Sequence, residues 1–285
     1  MNAWILAARP KTLSAAVVPV LIGTALAAHA RWIWFLCALF GALFIQIGTN
    51  LVNDALDFKR GADTSERLGP VRVTQAGLLS ADAVMRLAVV CFAYAAALGV
   101  PLIVRGGWVI VAIGVTSIAA AYAYTGGPYP LAYNGLGELF VMIFFGVVAA
   151  GGSYYMQTLT IEKAVIIAGF AAGSLACVLL VINNLRDIES DRVSNKKTMA
   201  VRFGEGFARF EVAFFAIAPF ILTMFVAQIR HRDWLLLPLA AFPMALALIN
   251  KTKKATGREL NGCLALAGAM QWIFGILFVI GTRIS

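Results

Sequence analysis

Charge is what this sequence has least of. Only 13% of its 285 residues are Asp, Glu, Lys or Arg, against roughly 25% in an ordinary soluble domain. With 61% hydrophobic residues and a mean hydropathy of +0.85, a water-facing globule is excluded and a polytopic membrane protein is expected. Histidine is rarer still: His29 and His231 lie at span ends far from any acidic pattern. The four cysteines (Cys37, Cys91, Cys177, Cys263) fall inside apolar segments without paired spacing, so they read as small buried hydrophobes in reduced form. There is no nucleophile elbow, no phosphate-binding glycine loop and no His/Cys metal cluster. No short cleavable signal is expected either, because Arg9-Pro10-Lys11 precedes the first long apolar run. The net charge of +9 could suggest nucleic acid, but the basic residues sit in loops between apolar runs. There they set orientation and meet anionic lipid, and no nucleic-acid partner is expected.

At roughly 20 apolar residues per crossing, nine spans are expected. They lie near 12–29, 33–53, 83–104, 108–125, 136–157, 162–182, 208–229, 233–250 and 261–282. The fold class is therefore all-α. Of the 23 lysines and arginines, 17 fall on one side of these spans. The positive-inside rule makes that side cytoplasmic; with an odd number of spans, the N-terminus is then inside and the C-terminus outside the cell (inner) membrane. Of the 14 acidic residues, only Glu162 and Asp233 lie on the outer side. The inner loops 54–82 and 183–207 are long, and their apolar positions (Leu68, Val71, Val193, Phe203 among them) suit short amphipathic cap helices over the cytoplasmic mouth.

Those two loops carry the one repeated pattern. Asn53 and Asp57 form Asn-x3-Asp, followed by Asp63; Asn183 and Asp187, 130 positions later, form it again, followed by Asp191. The shared offset suggests a weak internal repeat within a single domain over 1–285. Spans one to four would occupy about 9–128 and five to eight about 134–252, with an added ninth at 259–282. On a helix Asn50, Asn53, Asp54 and Asp57 share one face, as do Asn183, Asp187 and Asp191. Solvated helix ends often carry Asp and Asn, but the macrodipole disfavours anions at a C-terminal end. Carboxylates gathered at membrane helix ends repel one another and lose hydration, a cost that divalent cations bridging to an anionic ligand remove. Two facing acidic clusters thus suit a diphosphate held by Mg²⁺.

Basic residues in the same loops could meet phosphate oxygens directly, though most basic loop residues set topology. Arg67 and Arg72 flank Gly69-Pro70, a turn that would project them back to the mouth, and Lys197 follows the second motif closely. Lys11, with Arg9, either snorkels to lipid or serves the site. The inner loop between spans four and five has no Lys or Arg but holds Tyr124, Tyr129 and Tyr133. Tyr129 and Tyr133 read as interfacial anchors; Tyr124 is either another anchor or a wall for an aromatic substrate.

These residues resemble the UbiA superfamily of intramembrane prenyltransferases, whose first motif reads Asn-x3-Asp-x3-Asp. Asn53 and Asp57 fit it, and Asp63 comes two residues late, as in the naphthoate-using branch. Further matches to that branch are Arg9-Pro10-Lys11-Thr12-Leu13, Gly69-Pro70-Val71-Arg72 with Gln75 and Gly77, and the run from Asn183-Asn184-Leu185-Arg186-Asp187 to Asp191-Arg192. The resemblance implies nine transmembrane helices around a central cavity, with a lateral opening for an isoprenoid tail. It implies Mg²⁺ on Asp54, Asp57, Asp63, Asp187 and Asp191, with Asn50, Asn53, Asn183 and Asn184 orienting them or the diphosphate. The implied reaction transfers a polyprenyl group from its diphosphate to 1,4-dihydroxy-2-naphthoate with loss of diphosphate and CO2, giving demethylmenaquinol. Sibling acceptors are 4-hydroxybenzoate, homogentisate or a glyceryl phosphate. A cation-coupled transporter would instead place ionisable residues near the midplane, where these spans have almost none.

Overall fold

In lipid every backbone amide must find its partner within its own segment, and the apolar runs accordingly fold as helices. The computed structural model describes residues 2–62 and 68–284, and no strand occurs among them. In chain order the helices are α1 (Ala3–Ala8), α2 (Ser14–Ala25), α3 (Trp32–Lys59), α4 (Ala81–Gly106), α5 (Trp108–Ala123), α6 (Gly137–Met142), α7 (Ala149–Thr158), α8 (Lys163–Arg186), α9 (Ile188–Val193), α10 (Met199–Arg230), α11 (Phe242–Lys254) and α12 (Leu260–Ile284). A π-helical stretch over Ile143–Val148 joins α6 to α7, and 3-10 turns over Asp233–Ala241 lead into α11.

Length and hydropathy bring the count of spans close to the nine expected. Among the described residues, seven helices are long and apolar enough to cross a bilayer, and an eighth counts if the segments Ala3–Thr12 and Ser14–Ala25, bent by 49°, form one broken span. Within the first of those segments Arg9 adopts a left-handed φ of 52° and ends α1, and Pro10, which has no N–H, opens the 3-10 turn that leads to α2. Helix α5 has 16 residues, about 24 Å at 1.5 Å per residue, short of a hydrocarbon core of ~30 Å. Among the described residues the expected cap helices form on one loop only. After Asp187 the chain makes α9 and then the first turns of α10, which kink at Gly204 (φ 84°). In the other loop α3 runs on to Lys59, and the described residues 68–80 form turns.

Helix α8 is the hub. It touches α2, α6, α7, α10 and α12, and 72% of its most apolar window is buried inside the protein. Small residues permit the close approaches. A Cβ on Gly23 of α2 would lie 2.0 Å from the Ala150 carbonyl oxygen of α7, and one on Gly146 would lie 2.6 Å from that of Gly169 in α8. Large apolar side chains on the outer helices, such as Trp32, Val104 and Trp108, point outward, as a lipid-facing surface requires. All four cysteines are free and buried.

Gly23→Val should lower the thermal unfolding midpoint in detergent, at about 1–3 kcal/mol of overpacking. Gly41→Ala, which meets open space within 4 Å of its Cβ, should leave the midpoint unchanged or raise it.

Candidate active site

The C-terminal ends of α3 and α8 converge on one polar cavity of about 390 Å³. Asn53 and Asp57 line it from α3, and Asn183, Asn184, Asp187 and Asp191 line it from the end of α8 and from α9. The second motif does not occupy one continuous helical face. Helix α8 stops at Arg186, and Asp187 forms the joint at which α9 starts in a new direction.

Each cavity aspartate has a cation beside it. Arg72 Nη2 lies 3.6 Å from Asp57 Oδ2, Arg186 forks onto Asp187 at 2.8 and 2.6 Å, and Lys196 Nζ is 3.7 Å from Asp191 Oδ1. Arg186 is itself fixed: its Nη1 donates to Asn261 Oδ1 of α12 at 2.9 Å, and Asn261 Nδ2 donates to the Leu68 carbonyl at 3.0 Å. Gly69 lies flat against this guanidinium, where a Cβ would come within 2.6 Å of Nη2. Tyr133 donates its hydroxyl to Asp57 Oδ1 at 2.9 Å, while Arg60 and Lys196 lie over its ring. Burial, and then the Asp57 carboxylate, push the Tyr133 phenol well above its ordinary range, so it remains a neutral donor.

Several expected site residues act one step back. Asp54 is buried and absent from the cavity lining; its oxygens accept the backbone N–H groups of Val73 (3.3 Å) and Thr74 (3.1 Å). It anchors the turn that carries Arg72, and is no ligand in this geometry. Asn50 donates to the Ala8 carbonyl at 3.0 Å and to Thr12 Oγ1 at 3.1 Å. It thereby fastens the segment whose Arg9 and Lys11 line the cavity. Lys197 points away and is exposed. Asn195 turns the chain at a φ of 57°, so Lys196 faces in and Lys197 holds only backbone bonds, to the Tyr133 carbonyl and from Arg202. Asp63 and Arg67 lie outside the described residues. Asn53 accepts from Thr125, and Asn184 donates to Glu138 at 3.0 Å. From the sequence Tyr133 reads as an interfacial anchor, Lys196 as one of several basic loop residues able to meet phosphate, and Arg186 as a surface partner for Asp187; only Glu138 was not expected. A tyrosine in the one inner loop without Lys or Arg was a usable signal; burial of Arg186 and Glu138 left no trace in the pattern.

The donors fit a divalent cation of the Mg²⁺ kind. Among the described residues no three His, Cys, Asp or Glu side chains cluster on one point. The carboxylates stand instead on separate elements. An ion here would take one or two of them and complete its shell with phosphate oxygens and water, as Mg²⁺ habitually does. A second, apolar cavity of about 300 Å³ adjoins, lined by α2 to α7, and Tyr124 lines both.

Residues 16–280 match the UbiA prenyltransferase family. The chain belongs to the UbiA prenyltransferase family, and it is an enzyme of that class in a multi-pass membrane fold. It is 37% identical to the 1,4-dihydroxy-2-naphthoate octaprenyltransferase of Mycobacterium tuberculosis, over 96% of this chain and 94% of that one. It is 35% identical to the enzyme of the same name from Escherichia coli, over 100% and 96%. Among solved structures, a UbiA homolog from Archaeoglobus fulgidus bound to GPP and Mg²⁺ superposes with a TM-score of 0.70 at 15% identity, over 99% of both chains. The apo UbiA homolog from Aeropyrum pernix gives 0.73 at 14% identity, over 95% and 97%. The UbiA fold is thus shared well beyond sequence likeness.

Lys196→Ala should raise the KM for the anionic substrate several-fold, and Lys197→Ala should leave it unchanged. Asp54→Ala should cost about 1–3 kcal/mol of stability for two stranded buried amides, seen as a lower unfolding midpoint, with activity falling through a displaced Arg72.

Proposed function

We propose that this prenyltransferase moves a polyprenyl group from polyprenyl diphosphate to 1,4-dihydroxy-2-naphthoate, releasing diphosphate and CO2 and yielding demethylmenaquinol. One observation carries the reading: the acidic ends of α3 and α8 line a single polar cavity that meets an apolar cavity at Tyr124. A charged head and a hydrocarbon tail on one molecule require that pairing. The acceptor is supported by relatives at 31–37% identity named for it, matched over nearly their full length. Mg²⁺ is supported by the donor set and by its presence in the Archaeoglobus fulgidus structures.

When bound, Mg²⁺ would neutralise the charge that develops on the leaving diphosphate, held by Asp57, Asp187 and Asp191. Lys11, Arg72 and Lys196 line the same cavity and offer phosphate oxygens further donors. The apolar cavity takes the isoprenoid chain and keeps water from the allylic cation. Tyr124, at the seam, flanks the carbon where the bond breaks. The domain is single over 1–285, each half contributing one acidic motif. The positive-inside count places this site and the N-terminus in the cytoplasm.

Purified protein should convert dihydroxynaphthoate and a polyprenyl diphosphate with Mg²⁺; chelation should stop turnover and Mg²⁺ restore it. Asp57→Ala and Asp187→Ala should each lower kcat by roughly 10²–10³-fold or more while the protein stays inserted and folded. Near-normal turnover in either variant would overturn the assignment. For orientation, a cysteine at the exposed Val193 should react with an impermeant thiol reagent only in opened cells, and one at Arg232 in intact cells.

A further inference from the structure

Glu138 takes no part in holding the diphosphate, yet it lines the polar cavity from the first turn of α6. One turn on, Val141 lines the apolar cavity. The carboxyl therefore stands at the seam, beside Tyr124; a Cβ on the adjacent Gly137 would lie 3.1 Å from the Tyr124 hydroxyl. Asn184 Nδ2 donates to Glu138 Oε1 at 3.0 Å and orients the group. Among the described residues no lysine or arginine pairs with it. An acid in a membrane wall without a countercharge is costly to keep, and the three cavity aspartates have what this one lacks. The other titratable groups facing it are the Cys177 thiol of α8, which donates to the Glu138 carbonyl at 3.4 Å, and Glu211 of α10. Glu211 is also buried, and its Oε2 has no hydrogen-bond partner.

We infer that Glu138 is the base of the acceptor half-site, receiving the hydroxyl proton of the dihydroxynaphthoate as its ring attacks the prenyl chain. This rests on the function proposed above. The O–H bond breaks toward Glu138, and the oxygen's electron pair moves into the ring. A bond forms between the carboxylate-bearing ring carbon and C1 of the chain, while the C1–O bond breaks with its pair on diphosphate. CO2 then leaves its electron pair in the ring, restoring aromaticity, and Glu138 returns the proton to oxygen. The proton is lent and given back, so atoms and charge balance without another reactant.

The test compares Glu138→Gln and Glu138→Asp with wild type in nanodiscs, using dihydroxynaphthoate, a polyprenyl diphosphate and Mg²⁺. The Gln variant should lose about 10²-fold or more of kcat, with the KM for prenyl diphosphate and the Mg²⁺ midpoint unchanged, and Asp should recover part of the rate. A ring-halogenated acceptor, whose hydroxyl ionises more readily, should rescue the Gln variant more than it speeds wild type. A near-wild-type kcat, a loss confined to the KM for prenyl diphosphate, or equal effects of halogenation on both proteins would overturn the inference. If the Gln variant does not fold, Asp carries the same test: an unchanged kcat sinks the idea. Wild-type protein that ignores dihydroxynaphthoate would instead sink the proposed function.

Discussion

Burying a carboxylate in a membrane protein is costly unless something nearby carries the opposite charge or donates hydrogen bonds to it, and that cost shapes the acidic end of this molecule. Asp57, Asp187 and Asp191 each have an arginine or lysine within ion-pair distance. The elements bringing those cations are not interchangeable: the turn at 72, the end of α8 and the segment after α9. The turn exists because Asp54 holds its backbone, and the Arg186 fork exists because α12 supplies Asn261. Helices distant in sequence thus meet at the cavity to balance charge.

The helical fold, the lipid-facing surface and the meeting of the two acidic motifs were all legible in the sequence, because hydropathy and a repeated spacing are local signals. The lengths of individual spans were less so. The helix of the first apolar run covers only Ser14–Ala25, with a left-handed Arg9 and Pro10 turning the chain just ahead of it, and α5 ends at Ala123, both being backbone events that composition does not record. Helical periodicity was read one step too far at both motifs. It placed Asn50 and Asp54 on the cavity side with Asp57, whereas both face neighbouring backbone. It also carried α8 through Asp187, where the helix ends. Lys196 and Lys197 show the limit most plainly, since only the turn at Asn195 decides which of two adjacent lysines looks inward.

The two cavities divide one substrate by its chemistry. Charge and hydrogen bonding belong to the ends of α3 and α8, and hydrocarbon belongs to the space among α2 to α7. Tyr124, with the start of α6, is where the two regimes touch, and bond breaking there would separate a water-soluble leaving group from a product that belongs in lipid.

Gly69 links an outlying turn to this balance. The Arg186 guanidinium lies where any side chain at that position would have to go, so the bare backbone makes room for the charge that forks onto Asp187. A single methyl group added there, itself apolar, would be felt as an electrostatic fault: the fork would slide off Asp187, and the second acidic motif would face its ligand without its internal counterweight.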